Sequence, residues 1–135
     1  MALGVDELRE LAGATSKAAW QSIISRAVEI CSAPLSAATA PSEVTRRDRE
    51  IGTLDHFLSA GGWDLWKRFG HDVEPTSDRL ARWWAEPYSA KAVLILDGLS
   101  LREMPWLLAG AKERGFTLHE ATATGSELPS DTNSF

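Results

Sequence analysis

The spacing of apolar residues predicts helices along the first part of the chain. Between Lys17 and Cys31 apolar residues recur every three or four positions, so they share one face of a helix with Ser16 as its N-cap. A shorter helix is predicted over residues 5–11, closed by Gly13. The apolar face of the longer helix consists of Trp20, Ile23, Ile24, Ala27, Val28 and Cys31.

Further helices are predicted after a loop at residues 33–41. The two prolines of this segment and its small polar residues oppose a continuous helix. A third helix is predicted from Ser42 until the glycine pair at 61–62, and another helix over residues 77–84. We therefore expect residues 1–88 to form a helical N-terminal region.

The pattern changes in the last third of the chain. Residues 92–96 are all apolar, which is typical of a central strand of a parallel sheet, buried on both faces. A helix is predicted next, because Ser100 and Glu103 fit a capping box, and residues 116–121 have the pattern of a second strand. The sequence therefore predicts an α/β fold class, with residues 89–135 forming the first strand–helix–strand of a parallel-sheet domain. Two strands do not make a stable sheet of this type, so we expect the domain to be incomplete and more chain to follow.

Composition and charge narrow the classes of function. The chain has 135 residues, with 14 Lys and Arg against 19 Asp and Glu and a net charge of -5, which argues against a broad nucleic-acid-binding surface. The single cysteine, Cys31, excludes an intramolecular disulfide and a cysteine-rich zinc site. No apolar run approaches the roughly 20 residues needed to cross a bilayer, and the acidic N-terminus does not resemble a secretory signal. We expect a cytoplasmic protein with no membrane partner.

The candidate chemistry lies where the two predicted strands end. Asp97 ends the first strand, and Gly98 allows the backbone to turn sharply there. After the second strand, Ser130 and Thr132 place hydroxyl groups in the next loop. Ligands bind beyond the carboxyl ends of the strands in open α/β sheets. A metal bound by the carboxylate at this edge would lower the pKa of a nearby hydroxyl and make it a nucleophile.

These two segments resemble the start of a PglZ domain, a member of the alkaline phosphatase-like superfamily. The residues concerned are 93–103, VLILDGLSLRE, and 128–132, LPSDT. The family pattern is an apolar strand, then Asp-Ala/Gly-Leu/Met-Arg-x-Glu, and after some thirty residues Pro-Ser/Thr-x-Thr. Arg102 stands a little later than in the commonest form of this pattern. The resemblance covers residues 89–135, about a third of the chain.

The resemblance implies a metal-dependent phosphoester hydrolase. Asp97 is then a metal ligand and Thr132 the metal-bound nucleophile, with zinc as the implied divalent metal and a phosphorylated or nucleotide compound as the substrate. In the superfamily the remaining Asp and His ligands lie well downstream of the nucleophile, here beyond Phe135. These 135 residues alone are therefore expected to be inactive. Proteins with this domain are often associated with phage-defence systems of the BREX type, which implies defence-system proteins as partners.

Two other classes of function stay open. A non-catalytic scaffold of a defence complex would bind its partner through the tryptophan-rich helices, and it predicts an exposed patch of indole rings. The rings concerned, Trp63, Trp66, Trp83 and Trp84, would otherwise pack between helices. A nucleic-acid-binding module is the other alternative, because basic and aromatic residues are interleaved at 66–68 and 79–83, as in single-strand binders.

Each candidate residue also has a purely structural interpretation. An aspartate before a glycine, as at Asp97, is common in turns, and Thr132 could be the N-cap of the next helix. Arg102 fits the solvated first turn of a helix. The arginines within residues 43–50 are interleaved with acidic residues, which is typical of a solvated helix face.

Overall fold

The computed structural model describes residues 5–96 and 98–127, and over these residues it contains six α-helices and one 3₁₀ turn. In chain order the elements are α1 (Val5–Gly13), α2 (Ser16–Ser32), α3 (Ala40–Gly61), α4 (Trp63–Asp72), α5 (Thr76–Ala85), the 3₁₀ turn (Leu101–Glu103) and α6 (Met104–Glu113). No helix in this part of the chain is both long enough and apolar enough to cross a membrane.

Helix α2 lies at the centre of the packing and contacts α1, α3, α4 and α6. The core combines Trp20 and Ile23 of α2 with Leu58 of α3 and with Val73, which follows α4. Both α2 residues belong to the predicted apolar face, so the predicted helix and its orientation are confirmed. The periodic pattern identified the helix because its buried face is continuous over four turns.

The ends of the helices differ in detail from the prediction. Thr15, not Ser16, is the N-cap of α2, and its hydroxyl accepts a hydrogen bond from the backbone N–H of Ala18 at 3.3 Å. Helix α3 begins at Ala40, two residues earlier than predicted, with Pro41 in its first turn. Proline is tolerated there because the first N–H groups of a helix have no intrahelical partner.

Gly62 separates α3 from α4, which confirms the predicted break at the glycine pair. A Cβ atom at this position would lie 2.8 Å from the carbonyl oxygen of Leu58, so only glycine allows the backbone to pass so closely. Helix α4 starts at the next residue and continues without a break through Gly70.

The predicted fold class is wrong. Residues 92–96 and 116–121 belong to no strand, and no sheet forms within the described residues, so the strand–helix–strand start of an alkaline-phosphatase-like domain is not seen. The described backbone contains one isolated parallel bridge, between Pro75 and Gly125. A β-strand is stable only when a neighbouring strand satisfies its backbone groups, and these segments have no such neighbour here. The division of the chain between residues 88 and 89 stays a prediction.

The helix predicted after Gly98 is confirmed. Gly98 has φ +75°, a left-handed conformation that favours glycine, and Ser100 accepts a hydrogen bond from the N–H of Arg102 at 3.2 Å. Pro105 lies in the first turn of α6, and Gly115, with φ +82°, follows its end. Proline therefore starts this helix and does not kink it.

Candidate functional site

The two residues predicted to form the metal site, Asp97 and Thr132, lie outside the described residues, as does Ser130. Their predicted convergence on one cation therefore stays a prediction. Within residues 5–96 and 98–127, no group of three or more His, Cys, Asp and Glu side chains is arranged to hold a metal ion.

The segment directly after Asp97 is joined to α3 by an ion pair. The guanidinium of Arg102 donates two hydrogen bonds to the carboxylate of Asp48, at 3.2 and 3.1 Å. The hydrogen bonds to Asp48 raise the pKa of Arg102, so the guanidinium stays charged. The interpretation of Arg102 as merely solvated is therefore incomplete, because this arginine joins the candidate motif to the helical region. Both side chains are about half exposed, so the pair orients the segment more than it stabilises the fold.

A cavity of about 650 Å³ lies beside this ion pair. Its walls come from α2 and α3 on one side and from Ser100, Leu101 and Arg102 on the other. Cys31 lines the cavity, and burial raises the pKa of its thiol, which keeps the sulfur protonated and poorly nucleophilic at neutral pH. The cavity therefore offers an apolar surface with charged groups at its edge and no activated cysteine.

A second polar cluster, which the sequence did not reveal, joins the start of α2 to the end of α4. The carboxylate of Asp72, with a side chain 3% exposed, accepts hydrogen bonds from Ser16 and from Arg68, the latter at 3.0 Å. His71 Nδ1 lies 2.7 Å from the other carboxylate oxygen, and Arg68 also donates to the hydroxyl of Ser16 at 2.8 Å. The hydrogen bond from Arg68 is the main reason that the pKa of Asp72 lies far below its usual range, and the hydrogen bonds from Ser16 and His71 lower this pKa further.

This cluster contains a serine, a histidine and an aspartate but not the order of a catalytic triad. In a triad the serine bonds to the histidine, which in turn bonds to the aspartate. Here the hydroxyl of Ser16 and the imidazole of His71 both bond to the carboxylate of Asp72. The cluster is therefore best described as a polar tie between two helices. Its only sequence signal is the alternation of charges near the end of α4.

Replacing Asp72 with Asn is expected to lower the Tm at neutral pH and to flatten the loss of stability in acid. A depressed pKa means that the carboxylate stabilises the fold above the pKa of the unfolded chain, about 3.9, and that this stabilisation is lost as the pH falls through and below that value. Thermal unfolding followed by circular dichroism at pH 7, 5, 4 and 3 measures both effects.

Asp64→Asn is the matched control for this prediction. Asp64 also lies on α4 and pairs with Lys67, but its side chain is 97% exposed. Its replacement should leave both the Tm and the pH profile nearly unchanged. Equal profiles for the two variants would show that the cluster around Asp72 does not stabilise the chain.

The four tryptophans of the scaffold hypothesis are exposed, so the interpretation that they pack between helices is wrong. Trp63 is 70% exposed, and Trp66, Trp83 and Trp84 are also exposed to solvent. Trp66 retains one packing role, because its ring meets that of Trp20 edge-on at 5.1 Å. The sequence pattern misled because a tryptophan on an amphipathic helix has the same spacing whether its face is covered or free.

The apolar run before the candidate motif is exposed as well. Leu94 is 78% exposed, and Val93, Ile95 and Leu96 are also exposed to solvent. Leu99 and Leu101, on the other side of Asp97, share this exposure. Large apolar side chains exposed along one segment are suited to contact with an apolar partner.

No protein-family model, curated protein or solved structure matches this chain. Its function is therefore argued from its own residues.

Proposed function

We propose that this chain supplies part of the site of a metal-dependent phosphoester hydrolase of the PglZ type. One observation supports the proposal: an apolar run ends in Asp97-Gly98, and a Pro-Ser-x-Thr segment containing Thr132 follows about thirty residues later. Asp97 acts as a metal ligand and Thr132 as the metal-bound nucleophile, with zinc as the metal.

The proposed chemistry needs both groups on one cation. Asp97 and Thr132 would hold the metal, which would lower the pKa of the Thr132 hydroxyl. The Thr132 oxygen would attack phosphorus while its proton passes to water, and the bond between phosphorus and the leaving-group oxygen would break. A water molecule would then displace the phosphoryl group from the threonine and restore the hydroxyl. A carboxylate and an alcohol are only part of a metal's coordination shell, so the site needs further ligands.

The exposed surface around the motif supports the proposal that further protein completes the metal site. The exposed apolar residues on both sides of Asp97 are suited to packing against further protein, and such protein would bring other ligands to the same place. The positive φ of Gly98 and the capped turn at Ser100 direct the chain into α6 directly after Asp97.

The test is hydrolysis of bis(p-nitrophenyl) phosphate by the full-length protein with added zinc. Asp97→Asn and Thr132→Ala should each lower the rate at least about 100-fold, because each removes a group that acts on the reacting phosphorus or its metal. Ser130→Ala is the matched control and should keep most of the activity. Full activity in both Asp97→Asn and Thr132→Ala would refute the assignment.

A second candidate function, a partner-binding scaffold, is favoured by the exposure of the four tryptophans. Exposed indole rings are enriched at protein interfaces because they combine a large apolar face with a hydrogen-bond donor. Trp63 on α4 and Trp84 on α5 are the most exposed of the four. A scaffold would use these rings and would need no metal.

Photo-crosslinking in the native host separates the two functions. A photoreactive phenylalanine analogue at Trp63 or Trp84 should capture one specific protein, and the same analogue at the exposed residue Glu29 of α2 should not. Capture of the same proteins from positions 63, 84 and 29 would refute the scaffold hypothesis. Trp63→Ala and Trp84→Ala should also weaken the complex while leaving any phosphoesterase activity unchanged.

A further inference from the structure

The C-terminal end of α5 encloses the side-chain ammonium group of Lys91. Helix α5 ends at Ala85, and the chain then returns so that the Nζ atom of Lys91 lies against its last turn. The last carbonyl groups of a helix carry the negative end of the helix dipole. Two of those used here also accept backbone N–H groups, Trp83 that of Glu86 and Glu86 that of Tyr88. A cation is therefore stabilised at this position.

Backbone carbonyl groups satisfy the donors of the ammonium. Lys91 Nζ donates to the carbonyl oxygen of Trp83 at 2.9 Å, to that of Trp84 at 2.5 Å, and to that of Glu86. A primary ammonium has three N–H donors, so these acceptors match it in number. A quaternary ammonium, which has no donor, would leave all three carbonyl groups without this partner.

Aromatic rings surround the same atom. Lys91 Nζ lies 5.4 Å from the ring centroid of Trp83, 5.9 Å from that of Trp84 and 5.5 Å from that of Tyr88. A cation within about 6 Å of a ring centroid is attracted by the negative face of the ring. The indole rings of Trp83 and Trp84 lie 6.0 Å apart and form two neighbouring walls. We call this arrangement of three rings and three carbonyl groups the ammonium cage.

The ammonium cage differs from an ordinary lysine cap at the end of a helix. A lysine cap needs only carbonyl groups, whereas here each of three aromatic side chains also faces the cation. Among the residues that the structure describes, no carboxylate lies within ion-pair distance of Lys91 Nζ. The cation therefore lies among neutral groups alone, with the aromatic faces adding cation–π attraction to the hydrogen bonds of the carbonyl groups.

We propose that the ammonium cage is a binding site for the side chain of a lysine presented by another protein, and that Lys91 occupies it in the free chain. The bound geometry is that of a lysine, with a primary ammonium that donates to the carbonyl groups and lies over the rings. The proposal is independent of the phosphoesterase function, because it uses neither Asp97 nor Thr132.

Occupation of the ammonium cage is coupled to the exposed apolar run. Lys91 directly precedes residues 92–96, so a lysine that enters from another protein releases the anchor of that run. Because Lys91 is tethered, it competes at a high effective concentration, and an external lysine binds well only when Lys91 is removed or displaced by a multivalent partner.

The experiment is an NMR titration of Lys91→Ala with Nα-acetyl-lysine N-methylamide, followed through the indole N–H signals. The signals of Trp83 and Trp84 should shift saturably with a Kd of about 1–10 mM. The wild-type chain should bind at least about tenfold more weakly, because its own lysine competes. The Nε-acetylated ligand, which is neutral, should produce no saturable shift in either protein.

The double variant Lys91→Ala/Trp84→Ala tests the aromatic walls. It should bind Nα-acetyl-lysine N-methylamide at least about tenfold more weakly than Lys91→Ala does. A lysine cap without aromatic recognition would leave the affinity unchanged, and this result would overturn the proposal. Equal titration by the charged and the neutral ligand would also overturn it.

Trp20 monitors folding throughout, because its indole lies in the core far along the chain from Lys91. If Lys91→Ala loses the dispersed signal of Trp20, Lys91→Gln is titrated in its place, since the longer side chain retains the contacts of the alkyl stem. The same saturable shifts are expected, and a folded variant that shows none refutes the proposal.

Discussion

Trp20→Ala is expected to lower the free energy of unfolding by about 3–5 kcal/mol, the range for removing a large aromatic side chain from a core. Trp20 is 3% exposed, and its indole N–H donates to the carbonyl oxygen of Leu65 at 3.1 Å. Its ring also meets the rings of Trp66 and Phe69 edge-on, each at 5.1 Å. The substitution therefore leaves a cavity between α2 and α4 and removes the hydrogen bond that joins them.

Urea unfolding followed by far-ultraviolet circular dichroism measures this loss. The total stability of a domain this size is about 5–15 kcal/mol, so the variant should lose a large part of it and its Tm should fall by about 10–20 °C. Trp63→Ala is the matched control, because Trp63 is 70% exposed, and its replacement should change the free energy by less than about 0.5 kcal/mol. A similar loss in both variants would show that Trp63 also contributes to the core.

Arg47→Met is expected to cost about 1–3 kcal/mol, the penalty for leaving buried acceptors without a donor. Arg47 is 7% exposed, and its guanidinium donates to the carbonyl oxygens of Cys31 at 3.4 Å and of Pro34 at 3.0 Å. The carbonyl group of Cys31 lies in the last turn of α2, where a helix has no N–H groups left to satisfy it, and that of Pro34 lies in the loop that follows. Methionine keeps the apolar stem of the side chain but loses both bonds.

The neighbouring residue, Arg46, provides the control for this prediction. Arg46 is half exposed and pairs with Glu43 and Glu50 on the surface of α3. Arg46→Met should therefore cost less than about 1 kcal/mol. Both free energies come from urea unfolding of the same preparation. Equal losses would mean that the bonds of Arg47 do not hold the end of α2.

The prediction of a solvated helix face succeeded for Arg46 and failed for Arg47. Both arginines lie in one charged run, and local sequence contains no signal that separates them. The difference arises because α3 turns one of them toward the end of α2, a contact between residues sixteen positions apart. The same reason explains why Asp72 and its partner Ser16 were missed.

The segment predicted as the first strand shows the opposite kind of error, because its side chains were expected to be buried and are exposed. The apolar run at residues 92–96 has the composition of a buried strand, yet it belongs to no strand. Apolar composition reports that a segment is suited to burial, but burial requires a surface to pack against. The candidate residues Asp97 and Thr132 lie outside the described residues, so their shared role stays a prediction.

The helices and their apolar faces were determined locally. The periodicity around Trp20, the glycine pair at 61–62 and the capped turn at Ser100 each depend on residues a few positions apart, so the chain alone sufficed to identify them. Which faces are covered and which arginine is buried depended on tertiary structure. These properties arise from contacts between distant segments, and such contacts form only once the helices have packed around α2.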